Sequence, residues 1–222
     1  MPNHVANKLI FRGDAGLLES LRETMKAKDG SSPFTFNGVI PMPESVKNTS
    51  AGSQQEAGII ALTGMGKSNK DPWIIPAYEK HGIYTPEQLR VWLTKNEPKA
   101  LELGEASLVA YQETGYYDWY DWSIANWGTK WDAYHVEAQS DDSSLTYTFQ
   151  TAWSPPHNII DLLVKKYSNL TMEHRFCCEG PECWGKAIYH NGEVLEESYD
   201  APEEKASLYS ESWGYTLETD EE

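Results

Sequence analysis

Leu145, Tyr147, Phe149, Thr151 and Trp153 alternate with Thr146, Thr148, Gln150 and Ala152, the clearest two-residue period in the chain. Successive side chains of a strand point to opposite faces, so this run has one mainly apolar face and one mainly polar face. It is a strand, and what flanks it restricts the fold. A weaker strand, Ala133 to Gln139, precedes it across the turn Ser140-Asp141-Asp142-Ser143, which makes an antiparallel hairpin. Pro155-Pro156 then opens a helix whose stripe is Ile159, Ile160, Leu163, Val164 and Tyr167. A further strand places Leu170, Met172, His174 and Phe176 on one face. Trp184 to His190 and Glu193 to Ser198 read as a last hairpin, since Asn191-Gly192 suits a type I′ turn.

The start of the chain supplies the missing half. In Asn3 to Arg12, Val5, Asn7, Leu9 and Phe11 share a face, and Gly13-Asp14 offers a turn and a helix cap. Leu17, Leu18, Leu21 and Met25 then recur at helical spacing until Asp29-Gly30. The order is βα, an interruption, ββαβ and an extra hairpin. This predicts an α+β chain with a ferredoxin-like split βαβ sheet, formed by residues 1–30 and 132–199. Residues 31–131 read as a mainly helical insertion, with helices from Pro86 to Lys95 and from Pro98 to Thr114. Asn48 to Gly58 and Thr63 to Asp71 read as loops rich in Gly and Ser. Residues 200–222 read as an acidic, solvated C-terminal tail.

Net charge is −16, and it is unevenly spread. Residues 1–112 and 143–192 are each balanced, whereas residues 113–142 hold seven acids against Lys130 and residues 193–222 hold eleven against Lys205. Direct binding to a nucleic-acid backbone needs clustered Lys and Arg, so it is not expected. A partner with a basic surface fits the charge better. No apolar run is long enough to span a membrane, and the N-terminus lacks the pattern of a signal peptide. A cytoplasmic protein is therefore expected, with Cys177, Cys178 and Cys183 as reduced thiols.

Tyr116 to Tyr134, YYDWYDWSIANWGTKWDAY, holds four of the nine tryptophans. Each such ring buries roughly 150–250 Å², so the segment is either core or a binding face. We read Trp119, Trp122, Trp127 and Trp131 as covering the sheet, with Asn126, Gly128 and Thr129 as a turn and Lys130 pairing with an acid.

MPNHVANKLIFRG at the start, FNGVIPMPE at Phe36 to Glu44, WYDWSIANWGTKWDAY at Trp119 to Tyr134, FQTAWSPP at Phe149 to Pro156 and EGPECWG at Glu179 to Gly185 together carry a resemblance. The chain resembles the YubB-type family of phage and conjugative-plasmid proteins with a ferredoxin-like domain. The resemblance implies a bacterial mobile-element protein with a ferredoxin-like core and an insertion. It implies no reaction, and no cofactor.

Candidate chemistry is sparse. ALTGMGKS at Ala61 to Ser68 ends like a phosphate-binding loop but has alanine in place of the first glycine, so a flexible loop is preferred. His174, Cys177, Cys178 and Cys183 lack zinc-site spacing, and Cys177 and Cys178 point to opposite faces of a strand. Three cysteines also fall short of the usual four iron–sulfur ligands. No metal is expected. Asp118 and Asp121, three apart on a helix, could serve as paired carboxylates with His135 as proton carrier, but first-turn aspartates also simply cap helices.

The expected function is that of a non-enzymatic accessory protein. It binds a host protein through Asp118, Asp121, Asp132, Glu137, Asp141 and Asp142, in the manner of an anti-defence mimic of nucleic acid. The alternative is a small enzyme or ligand-binding module built on the aromatic-acidic segment.

Overall fold

β1 (His4–Arg12) and α1 (Ala15–Met25) follow the sequence pattern, and the Asp14 carboxylate caps the helix by accepting from Gly16 N at 2.9 Å and Leu17 N at 3.1 Å. The computed structural model describes residues 3–67, 74–180 and 183–214. Its later elements are α2 (Glu44–Lys47), α3 (Ser53–Thr63), α4 (Pro86–Asn96), α5 (Pro98–Thr114), α6 (Trp119–Trp127), β2 (Tyr134–Ser140) and β3 (Ser144–Ala152). They are followed by α7 (His157–Lys166), β4 (Thr171–Cys178), β5 (Trp184–His190), β6 (Glu193–Tyr199) and α8 (Pro202–Trp213). The chain divides into two compact units, residues 1–41 with 123–222 and residues 42–122.

The first unit is built on an antiparallel six-stranded sheet in the order β2-β3-β1-β4-β5-β6. Its first four strands, with α1 and α7, form the split βαβ of a ferredoxin-like fold. The β5–β6 hairpin extends the β4 side, and Asn191 and Gly192 both have positive φ, at 54° and 79°, as a type I′ turn requires. Register puts Leu9 opposite Tyr147 and His174, and Phe11 opposite Leu145 and Met172. This face is buried beneath Leu18, Leu21 and Met25 of α1 and Ile159, Ile160 and Leu163 of α7. Phe34 and Phe36, fully buried after α1, lie 4.9 and 5.9 Å from Phe149 between ring centroids.

Residues 200–222, expected as a solvated tail, contain α8. Its Leu208 and Tyr209 are buried with Cys177 and Trp184 of the sheet, on the face away from α1 and α7. Charge misleads here because four acids from Asp200 through Trp213 hide a short apolar contact. Residues 215–222 lie outside the described part of the chain.

The second unit is helical. The stretch Asn48 to Gly58, expected as a loop, instead runs into α3, in which Gln55 through Ala61 are all buried. Ile60, Leu89, Leu93 and Ala100 form its core. Gly58 was a breaker signal only out of context, since it lies where α3 meets α5.

Candidate functional site

Asp118 is fully buried in the second unit, and it spends both carboxylate oxygens. One accepts from Tyr120 N and Asp121 N, each at 3.0 Å, which caps α6. The other accepts from Gln55 Nε2 at 3.2 Å and pairs with Lys67 Nζ. A buried carboxylate needs such partners, and one already holding them has no face to offer a protein. Asp121, three residues on, is exposed. Its pKa is raised by desolvation and then by the neighbouring Asp118 charge. The two therefore differ sharply in access.

Lys67 belongs to the segment that resembles a phosphate loop. Residues 61–63 end α3, and Gly64 caps it with φ 81°, so GMGK follows a helix C-terminus. That end carries partial negative charge, the wrong polarity for phosphate. Ser68 lies outside the described residues.

In the first unit Asp132 is a clamp. It accepts from Phe36 N at 2.7 Å, Asn37 Nδ2 at 3.0 Å and Thr35 Oγ1 at 2.5 Å, which fixes the segment carrying the buried Phe36. Trp127 packs 5.8 Å from Phe36 and donates from Nε1 to Ile40 O at 3.0 Å. Of the four rings expected to cover the sheet, Trp127 is buried in this unit and Trp131 is 37% exposed, whereas Trp119 and the buried Trp122 belong to the second, helical unit. Lys130 lies over Trp131 at 4.8 Å and Trp153 at 4.5 Å, a cation–π arrangement in addition to any pairing with an acid. Gly128 makes the expected turn, with φ 78°, and Thr129 Oγ1 donates to Ala152 O at 2.8 Å.

Glu137, Asp141 and Asp142 remain exposed on β2 and its turn. Asp141 orders the turn by accepting from Ser143 N at 2.8 Å and from the hydroxyls of Ser143 and Ser144, and these bonds hold its pKa down to about 2. It therefore stays charged. His135 sits at a bulge of β2 with φ 50°. Together with Glu137 it lines a cavity of about 330 Å³ on the sheet face that carries α8.

That cavity was missed from sequence. So was the acidic edge formed by Glu193, Glu196, Glu197 and Asp200, all exposed on or just after β6. The signal was present in the C-terminal charge count, but it was assigned to a tail. Among the described residues, no group of three or more His, Cys, Asp and Glu side chains is placed to hold a metal.

The cysteines correct one expectation. Cys178 and Cys183 form a disulfide across the ends of β4 and β5, with Cα atoms 5.2 Å apart. The ladder makes this close approach, as Cys178 N donates to Cys183 O at 2.8 Å. Cys177 points to the opposite face and is a buried thiol, its pKa pushed up to about 11 by burial. Few cysteines in a short span were read as reduced thiols, because strand pairing could not be seen.

These observations define an α+β protein whose ferredoxin-like sheet has acidic edges and a polar cavity on one face. The model of a ferredoxin-like domain in Api92-like proteins matches residues 126–221, and supports the fold. A solved structure of a protein Api92 from Yersinia pseudotuberculosis is similar at 11% identity, with a TM-score of 0.48, covering 90% of this chain and 99% of that one. No curated protein matches the chain. Among the described residues no helix is long and apolar enough to cross a membrane.

Proposed function

We propose that the chain is a non-enzymatic accessory protein of a phage or plasmid that binds a basic surface on a host protein. The observation that carries this reading is the accessibility of Glu137, Asp141 and Asp142. All three are exposed, and among the described residues none is in an ion pair. Unneutralised surface charge steers a basic partner and sets its orientation. The acids of β6 add a second edge of the same sign. In its finer form, these carboxylates occupy a nucleic-acid-binding site on a defence nuclease or CRISPR effector. The net charge and the resemblance to mobile-element proteins support that form.

Asp118 and Asp132 drop out of the binding set, since their oxygens serve the fold. Asp121 stays in it. The alternative enzyme on Asp118 and Asp121 has less support for the same reason.

The test uses the full chain as bait in bacterial lysate, beside two charge-reversed variants. One carries Glu137→Lys, Asp141→Lys and Asp142→Lys, and the other Glu193→Lys, Glu196→Lys and Glu197→Lys. Recovery of one partner that weakens as salt rises and is lost in either variant is expected. Equal recovery by all three baits would sink the reading.

A further inference from the structure

Lys8 of β1 and Arg175 of β4 stand directly opposite each other in antiparallel register, on the sheet face that carries α8. Like charges in that relation destabilise a sheet unless an anion lies between them. The anion here comes from the same chain. Glu211 of α8 accepts from Lys8 Nζ at 2.7 Å and from Arg175 at 2.9 and 3.1 Å. Glu173, almost buried, accepts from Arg175 Nε at 2.6 Å, so the guanidinium is held in place from its other side.

The two cations also line the cavity of about 330 Å³, together with Thr148, Gln150, Ser212 and Glu211. That volume is at the lower end for small-molecule sites. Its walls are polar, and Glu137 and His135 on β2 complete them. Hydroxyl and amide groups there can meet the uncharged part of a ligand, and Glu137 can accept from a ligand donor.

We infer that Lys8 and Arg175 form an oxyanion site for a small polar ligand bearing a carboxylate or phosphate, and that Glu211 is its built-in competitor. Two charge-assisted donors converging on one carboxylate are the arrangement such a group needs. Glu211 can leave without unpacking α8, because the helix is anchored by Leu208 and Tyr209. The ligand's anion replaces the glutamate between the cations, and its body fills the adjacent cavity. This site rests on cations of the sheet face, so it goes beyond the acidic binding surface, with which it shares Glu137.

The experiment titrates the full chain with inorganic phosphate and, separately, acetate, following backbone amides of Thr148 and Ser212 and the Arg175 side chain by NMR. Glu211→Gln removes the competing charge while keeping the shape. This variant is expected to bind one of the two probes at least tenfold more tightly than the native chain. The tighter probe identifies phosphate or carboxylate as the preferred head group. Adding Arg175→Gln to that variant is expected to abolish the saturable shifts. No gain in Glu211→Gln, or a gain that survives Arg175→Gln, overturns the site. Trp213 resonances report whether α8 stays docked. If it loosens, Lys8→Gln in the otherwise native chain decides, with retained native shifts counting against the site.

Discussion

Gly58 of α3 and Gly104 of α5 bring two helix backbones into direct contact. A Cβ built on Gly58 would lie 1.9 Å from Ala100 O, and one on Gly104 would lie 2.5 Å from the carbonyl carbon of Gly58. Backbone cannot rotate away as a side chain can. Gly58→Ala is therefore expected to destabilise the protein by about 3 kcal/mol, despite alanine's better helix propensity. Urea unfolding followed by tryptophan fluorescence measures this. An unchanged or raised midpoint would mean the helices separate readily.

Asp132 organises Thr35, Phe36 and Asn37 through three hydrogen bonds. Asp132→Ala leaves those donors in a partly buried place without their acceptor, at a cost of about 2 kcal/mol. Glu137→Ala, on the exposed strand, is expected to change stability by less than about 0.5 kcal/mol. Thermal unfolding of the two variants side by side checks the contrast.

His174 is fully enclosed between sheet and helices, with Nε2 3.1 Å from Asn7 Oδ1. Burial first, and then the neighbouring His157, lower its pKa to about 3 from 6.5. The folded value lies below the unfolded one, so its contribution is complete above pH 6.5 and lost as pH falls toward 3. Between those limits stability should fall by up to about 1.4 kcal/mol per pH unit from this residue. Chemical unfolding at several pH values gives the slope, and His174→Gln should flatten it.

The Cys178–Cys183 disulfide closes a short loop, for which the chain-entropy argument gives about 2 kcal/mol. Reduction should lower the unfolding free energy by that amount. In denaturant without reductant, a thiol reagent should label one cysteine per chain, Cys177. Labelling of three would show that the bond does not form.

How far the sequence could be read depended on the range of the interaction. The strand Leu145 to Trp153 was legible because alternation is a local property, and the observed β3 lies within one residue of it. The same holds for the cap at Asp14 and the turn at Asn191-Gly192, where each residue's conformational preference is its own. α3 was missed because glycine, a helix breaker by propensity, was selected for contact with a helix some forty residues away. α8 was missed because its acids outnumber the two residues that dock it.

The chain's own pattern determined the strand and helix order, hence a ferredoxin-like sheet, and the uneven placement of its charge. Tertiary structure alone decided which acids are spent and which are free. Asp118 meets Gln55 across 63 residues, Asp132 meets Phe36 across 96, and Glu211 meets Lys8 across 203. Local periodicity sets which face a side chain occupies, but a carboxylate's role depends on the donors brought to it. Those donors come from distant segments, and only the folded chain supplies them.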